Sequence, residues 1–507
     1  MMKCLHFGNI TGRGEIMSEK FNVSEETYVK NQIDAINGMV VGDSSIYTNL
    51  NGITFLNKDM QRPRTFTRDN VRKALANPYD NISTLQQVSS ILKSSNGIYA
   101  KILIYNSTML TNNHMITPIS NGSATSKEKM LKVYEDVSNF VNKYSIKKTA
   151  CWIYERVLEQ GELYVYKLEG KNQHIIQEFP AQLCEVTAIE DNVKRFAINL
   201  NGISSEAIEY MPKEIQDAYK LFKSNKLPKG KLIKNSYYQV SNKGTAFTLE
   251  KQRSKGIPFY CSIFDDLMEL EDMKDLKSGN AVIESTKLIH QKLPIDKETG
   301  KVLMDMSVAK TYHNATKANM PKGTAITTNP LEVSTLSLSD SSTKLDNDIY
   351  QSMENAFDTA GINSEIFNGK KNSNMAITSG LVVDSLLPKR LQMMVEDWMN
   401  FELSTFRKNG TKWRFKFIDS THFDKEERSS KARENMAYGG SRFEFLACQG
   451  YDPLEGVNLL KAEQLLELDS IMIPQATSHT MGKTNENGRP KTETDKGSGI
   501  STEAEEE

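Results

Sequence analysis

Five carboxylates crowd one short stretch of this 507-residue chain: Asp265, Asp266, Glu269, Glu271 and Asp272. Acids so close could share a divalent metal for phosphodiester cleavage, or act as acid and base. On a helix, though, these positions wrap around the axis, and acids in a first turn also suit the helix dipole. A solvated helix face is therefore the bland alternative to a metal cluster. The histidines (His6, His114, His174, His290, His313, His422 and His479) are isolated from one another in sequence. Neither His-Glu-x-x-His nor Gly-x-Ser-x-Gly occurs. The triplet Gly482-Lys483-Thr484 lacks the leading glycine of a phosphate-binding loop. Cys4, Cys151, Cys184, Cys261 and Cys448 are scattered, odd in number and without a Cys-x-x-Cys pair, so they read as free, buried thiols. No cofactor or metal is expected, and the sequence points to a non-enzymatic protein. An enzyme whose carboxylates cluster only in space, such as a nuclease, is the competing class.

The elements that would position these residues centre on residues 262–406. A long helix is expected over 262–293, where Ile263, Leu267, Leu270, Met273, Leu276, Gly279 and Ile283 build one apolar stripe. Pro294 stops it. A second is expected over 341–367, with Leu345, Ile349, Met353, Ala356 and Ala360 on one face and Asp340 or Ser341 as cap. Each would be roughly 40 Å long. Between them, residues 295–338 carry the Thr, Val, Gly and Pro of turns and strands rather than helix. A small, polar, basic loop follows at Asn368-Gly-Lys-Lys-Asn-Ser-Asn374. Helix resumes over 379–406, interrupted by Pro388.

The rest of the chain sets the frame. Net charge is −1, so any contact with nucleic acid needs a local basic patch. No apolar run approaches the ~20 residues of a membrane span. Short helices are expected at 24–39, 68–76, 83–94 and 126–141, with a loop over 106–126. From about residue 148 the period changes to two. Strands are expected at Cys151–Val157, Glu162–Leu168, His174–Phe179, Leu183–Ile189 and Lys194–Leu200, forming an antiparallel sheet. A helix over 205–223 contains Pro212, and two further strands lie within 231–249. Residues 412–418 alternate Trp413, Phe415 and Phe417 with Lys412, Arg414 and Lys416, a half-buried strand expected to rejoin that sheet. Helices at 424–437, 442–447 and 453–468 close the fold. Residues 475–507 hold almost nothing apolar and read as a disordered tail.

This order of elements resembles the portal, or head-to-tail connector, proteins of tailed bacteriophages. Three passages carry the resemblance. The first is Asn77-Pro-Tyr-Asp-Asn-Ile-Ser-Thr-Leu with Ser95-Asn-Gly-Ile-Tyr-Ala-Lys-Ile-Leu-Ile-Tyr105. The second is Gly256-Ile-Pro-Phe-Tyr260, entering a helix that ends at Lys287-Leu-Ile-His-Gln-Lys-Leu-Pro294. The third is Ala360-Gly-Ile-Asn363 with the polar loop and the Pro388 helix. The resemblance covers about residues 77–468 and rests on order and spacing rather than on a strict motif.

What it implies is an α+β ring subunit with an antiparallel β/α wing, a long-helix stem, a small α/β clip and a helical C-terminal crown. The implied boundaries are a disordered N-terminus at 1–22, wing at 23–261, stem helices at 262–293 and 341–367, and clip at 294–340. The tunnel loop is 368–379, a wing helix and strand fill 380–423, the crown is 424–470 and a disordered tail is 471–507. About twelve copies would surround a channel for double-stranded DNA at one capsid vertex of the virion. Lys370, Lys371, Asn372 and Asn374 would face DNA, holding phosphate without reading sequence. Lys297, Lys301, Lys310, Lys317 and Lys322 would lie in the clip, where the large terminase and later the head-completion or tail adaptor proteins dock. Asp346, Asp348, Glu354 and Asp358 would repel phosphate if they line the lumen. Major capsid and scaffolding proteins are further implied partners; membrane is not. The alternative is an oligomeric minor capsid or adaptor protein without a DNA channel.

Overall fold

The computed structural model describes residues 67–468, apart from 121–125, 171–173, 235, 251–252, 286, 297, 299–300, 320–323, 330–341, 369–373 and 407–409. The helix expected at 24–39 and the ends expected to be disordered, 1–22 and 471–507, lie outside the described residues. The fold mixes helix and sheet, as an α+β class requires.

Helices α1 (Arg68–Ala76), α2 (Ile82–Ser95) and α3 (Gly97–Thr108) come first. Thr67 caps α1 by accepting the Asn70 amide at 3.4 Å. Asn96 caps α3, its side-chain oxygen accepting the Ile98 and Tyr99 amides at 3.0 and 3.1 Å. Strand β1 (His114–Ser120) follows, within the stretch expected as a loop. Helices α4 (Lys127–Asn142) and α5 (Ile146–Gln160) come next. The second corrects the strand expected at Cys151–Val157. Ala150, Ile153, Tyr154, Val157 and Leu158 recur at helical steps and are all buried. Their β-branched and aromatic side chains suit a strand by propensity, but here they cover a helix face pressed on the core. Gly161, which lies between two stretches expected as strands, is the left-handed C-cap of α5 (φ 80°), donating to Val157 O at 2.9 Å.

The sheet itself is as expected in kind. β2 (Glu162–Leu168), β3 (Ile175–Phe179), β4 (Cys184–Glu190), β5 (Val193–Asn199), β6 (Leu232–Ile233), β7 (Tyr237–Gln239) and β8 (Gly244–Thr248) pair antiparallel. Their order is β3-β2-β8-β5-β7-β6, with β4 on β5. Helix α6 (Lys213–Lys223) starts after Pro212, so the helix expected over 205–223 is divided there. One apolar cluster joins Tyr164, Phe196 and Ile198 to Met211 and Ile215. A larger one joins Leu163, Val165 and Phe247 to Tyr154, Leu267, Ala356 and Trp398.

The long-helix region departs from expectation in its ends. Helix α7 (Phe264–Ser285) stops short of residue 293, because β9 (Lys287–Lys292) pairs parallel with β10 (Thr324–Asn329). Between these strands lies α8 (Met306–Ala318), a helix where turns and strands were expected. Asp305 starts it by accepting the Ser307 amide at 2.9 Å. Helix α9 (Ser342–Thr359) ends before Gly361, whose φ of 69° suits glycine. A short α10 (Glu365–Asn368) follows, then α11 (Asn374–Asp384) and α12 (Leu386–Thr405). Helix thus resumes earlier than residue 379. Pro388 sits in the first turn of α12, where its missing N–H costs nothing.

β11 (Lys412–Phe417) pairs with β1, His114 opposite Phe417, and forms a separate two-stranded sheet rather than rejoining the large one. Helices α13 (Lys425–Ala437) and α14 (Arg442–Gln449) complete the unit that runs to Pro453. Helix α15 (Pro453–Leu465) falls almost wholly in a second unit that begins at Leu454.

Candidate functional site

The base of α7 is anchored through the carboxylates that could have held a metal. Phe264, Leu267 and Leu270 are buried on its inner face. On its flank, Asp265 meets Arg68 at 2.8 Å and Arg72 at 2.9 Å, and Arg68 also pairs with Glu269. The Arg68 guanidinium holds the Asp265 carboxyl below its ordinary range. Asp272 is 3.7 Å from Arg68, and Glu271 accepts from the Asn96 side chain at 3.0 Å. Burial, then the like charges of Asp265 and Glu269, push Asp266 up. The acids thus clamp α7 to α1 and α3. They are neither a bare solvated face nor a converging cluster, and among the described residues no group of three or more His, Cys, Asp or Glu is placed to hold a metal.

From this base α7 runs out and α9 runs back. Asp266 accepts a hydrogen bond from Thr359, and the Ser352 hydroxyl donates to Met273 Sδ at 3.5 Å, which sets the two helices antiparallel. Toward the core, Ala356 and Phe357 are buried. Away from it, Leu276 and Tyr350 are 61% and 62% exposed. Of the four acids proposed for a lumen, Asp348 and Asp358 are exposed and Glu354 is half-buried with an interaction of its own. Asp346 lies on α9, its side chain outside the description. At 3.6 residues per turn the four span about 200° of the helix, so one narrow lumen stripe does not hold them all.

The small unit at the far end of α7 is a β-α-β arrangement. The side chain of Gln291 on β9 donates to Thr316 on α8 at 2.6 Å and accepts from Thr328 on β10 at 3.0 Å. His313 Nδ1 lies 2.9 Å from the Thr328 hydroxyl. Lys301, Lys310 and Lys317 are exposed, the last two seven residues apart on one face of α8. Lys297 and Lys322 lie outside the described residues. Leu303, Met306 and Tyr312 expose 68%, 70% and 61% of their surface. These apolar residues were not singled out in the sequence.

Lys370, Lys371 and Asn372 also lie outside the described residues, and Asn374 is the first residue of α11. The flanks of that loop are fixed. Phe367 stacks on Phe357 at 5.0 Å and meets Tyr105 edge-on at 5.3 Å. On the other flank, Asp384 accepts from Tyr105 Oη at 2.9 Å and from the Asn363 amide at 3.4 Å. A Cβ on Gly380 would stand 2.2 Å from the Asn363 side-chain nitrogen, so α11 returns directly against the start of the loop region. Sequence reasoning gave Tyr105 no role at this loop and did not name Asp384.

Several buried polar groups in the body also escaped it. Lys167 pairs with Glu402 at 2.5 Å, and Tyr144 donates to the same carboxylate at 2.9 Å. Lys93 and Arg156 hold Glu159 at 2.9 Å each. Burial lowers His114 and His174 to about 4. Single charges inside apolar periods were the available signal. No helix among the described residues is long and apolar enough to cross a membrane. Neither a protein-family model nor a curated protein matches the chain.

Proposed function

We propose that this chain is the subunit of a portal ring at one vertex of a tailed-phage capsid. About twelve copies would enclose the channel through which double-stranded DNA is packaged and ejected. The large terminase, docked at the clip, supplies the energy; major capsid and scaffolding proteins set the ring in the shell; head-completion and tail adaptor proteins later take the terminase's place. DNA is held without regard to sequence, since Lys370 and Lys371 offer charge to phosphate alone.

The observation that carries this proposal is the α7–α9 arm. It leaves the core as an antiparallel pair, bears a β-α-β unit between its outer ends, and exposes Leu276 and Tyr350 on the way. Apolar helix surface left exposed among the described residues favours packing against copies around a ring. Native mass spectrometry with negative-stain imaging tests it. Rings of about a dozen subunits with a duplex-wide hole are the expected result. A small, channel-free oligomer that persists when capsid and scaffolding proteins are added would refute it in favour of a minor capsid or adaptor role. Within rings, Lys370→Glu with Lys371→Glu should leave assembly intact and impair packaging or DNA retention. Normal packaging would remove the loop from the DNA path.

A further inference from the structure

The strap that feeds α7, residues 254–260, crosses the C-terminal end of α5 at van der Waals contact. A Cβ on Gly161 would lie 2.0 Å from Ile257 O, and one on Gly256 would lie 2.3 Å from Gly161 O. Among the described residues Tyr164 Oη reaches Ser254 O at 3.4 Å. Val186 N donates to Ser254 O at 3.0 Å, and Phe259 N to Leu158 O at 3.1 Å. The bond at the crossing itself is made by a side chain: Gly256 N donates to Glu162 Oε2 at 2.8 Å. That carboxylate is buried. It also accepts from Tyr164 Oη at 2.9 Å and from Gln86 Nε2 at 3.2 Å. One side chain at the head of β2 therefore ties together α2, the large sheet and the strap.

We propose that Glu162 is a conformational latch: by accepting the Gly256 amide it closes the strap over α5 and fixes the root from which α7 projects. The inference concerns the body of a single chain and does not depend on ring formation. Its failure and that of the portal reading are thus read by different experiments.

The latch has a pH dependence whose sign follows from its setting. Burial is the main influence on the Glu162 carboxyl and pushes it up to about 7; the Gly256 amide, the Tyr164 hydroxyl, Lys255 on the strap and Gln86 pull the other way. Tyr164 on its own strand and Cys184 on β4 also face it, both raised first by burial and then by its charge. From β8, Thr248 stands opposite it in register and is neutral. When the strap opens, the carboxyl returns toward its ordinary value. Between the two values the closed strap binds more protons than the open one. Acid therefore favours closure, and opening becomes easier as pH rises toward about 7, by up to about tenfold per pH unit, levelling off above.

Hydrogen exchange of a peptide covering 253–263, followed by mass spectrometry on the full chain and corrected for intrinsic rates, tests this between pH 5.5 and 8. The wild-type opening constant should climb and then flatten near pH 7. Glu162→Gln keeps an acceptor for the Gly256 amide and cannot ionise, so its profile should be flat and low. Glu162→Leu removes the acceptor and should raise opening about tenfold or more, the usual consequence of orphaning a buried donor. Strap exchange in Glu162→Leu equal to wild type would overturn the latch. So would an equal rise across α5 and β2, which would mark a general core residue. If the leucine variant fails to fold, the Gln comparison decides: a wild-type pH profile retained in Glu162→Gln refutes the proposal.

Discussion

Removing Lys167 should cost more than removing the whole ion pair to which it belongs. Lys167 lies on β2, a strand buried along its whole length, and its Nζ is 2.5 Å from Glu402 Oε2 on α12. The two side chains are 10% and 2% exposed, so neither charge has much water to fall back on. Lys167→Met keeps the stem volume and leaves the Glu402 carboxylate facing the Tyr144 hydroxyl, which donates to it at 2.9 Å. Stranding a buried charge costs about 3–5 kcal/mol. With an unfolding entropy of about 2.1 cal/mol/K for each of roughly 400 ordered residues, 4 kcal/mol lowers Tm by about 5 °C. Replacing both partners, Lys167→Met with Glu402→Leu, strands no buried charge, since Glu169, the other carboxylate on Lys167 at 3.2 Å, is half exposed; the double variant should recover part of that loss, the Tyr144 hydroxyl being left without its acceptor. Differential scanning calorimetry at pH 7.5 on the three proteins measures it. A single variant within about 1 °C of wild type, or a double variant below the single by the sum of the parts, would refute the account of a desolvated, mutually dependent pair.

Acidification acts through the two buried histidines. His114 and His174 titrate at about 4 in the fold against 6.5 when free, so the unfolded chain binds more protons between those values, and their stabilisation is lost as pH falls from about 6.5 to about 4. Glu162 works in the opposite sense over part of that range, so Tm against pH should be shallower in His174→Phe than in wild type; an unchanged slope would remove His174 from the account. At the arm, Leu276→Glu with Tyr350→Ser should leave far-UV circular dichroism unchanged while abolishing large oligomers in mass photometry. Retained rings would show that these two exposed residues are not subunit contacts.

Much of the architecture was legible because the local signals agreed with the global fold. The helices expected at 68–76 and 126–141 start at the side-chain caps Thr67 and Ser126, and the stretch from Glu162 to Leu200 alternates as strands do. Legibility failed where tertiary pairing overrode propensity. Residues 151–157 carry Cys, Trp, Ile, Tyr and Val, good strand formers that serve α5 because its inner face is pressed on the core. Residues 287–292 continue an apolar pattern and yet leave the helix, because β10 offers them a parallel partner far along the chain. Nothing local at 114–120 announces a strand whose partner lies nearly 300 residues away in β11. The acids of α7 were visible as a group, but their partner Arg68 was not, since no periodicity links residues so distant.

The same contrast bears on the proposed packing of the arm against a neighbouring subunit. The apolar stripe of α7 begins at Ile263, Leu267 and Leu270, which the core of this chain covers completely, and continues to Leu276, which it leaves in water. Had the stripe served only intrachain packing, it would have ended where the covering ends. On α9 the order is mirrored: Tyr350 is open, while Ala356 and Phe357 close on the core, Phe357 stacked on Phe367 beside the basic loop. The arm and the flanks of Lys370 and Lys371 thus share one mechanical root, made of Phe357, Phe367, Tyr105 and Asp384. A neighbour packed on the outer arm would bear on the loop through rigid aromatic contacts rather than through a flexible link. In a ring, that coupling would let subunit contacts and charge on DNA influence each other without any catalytic group.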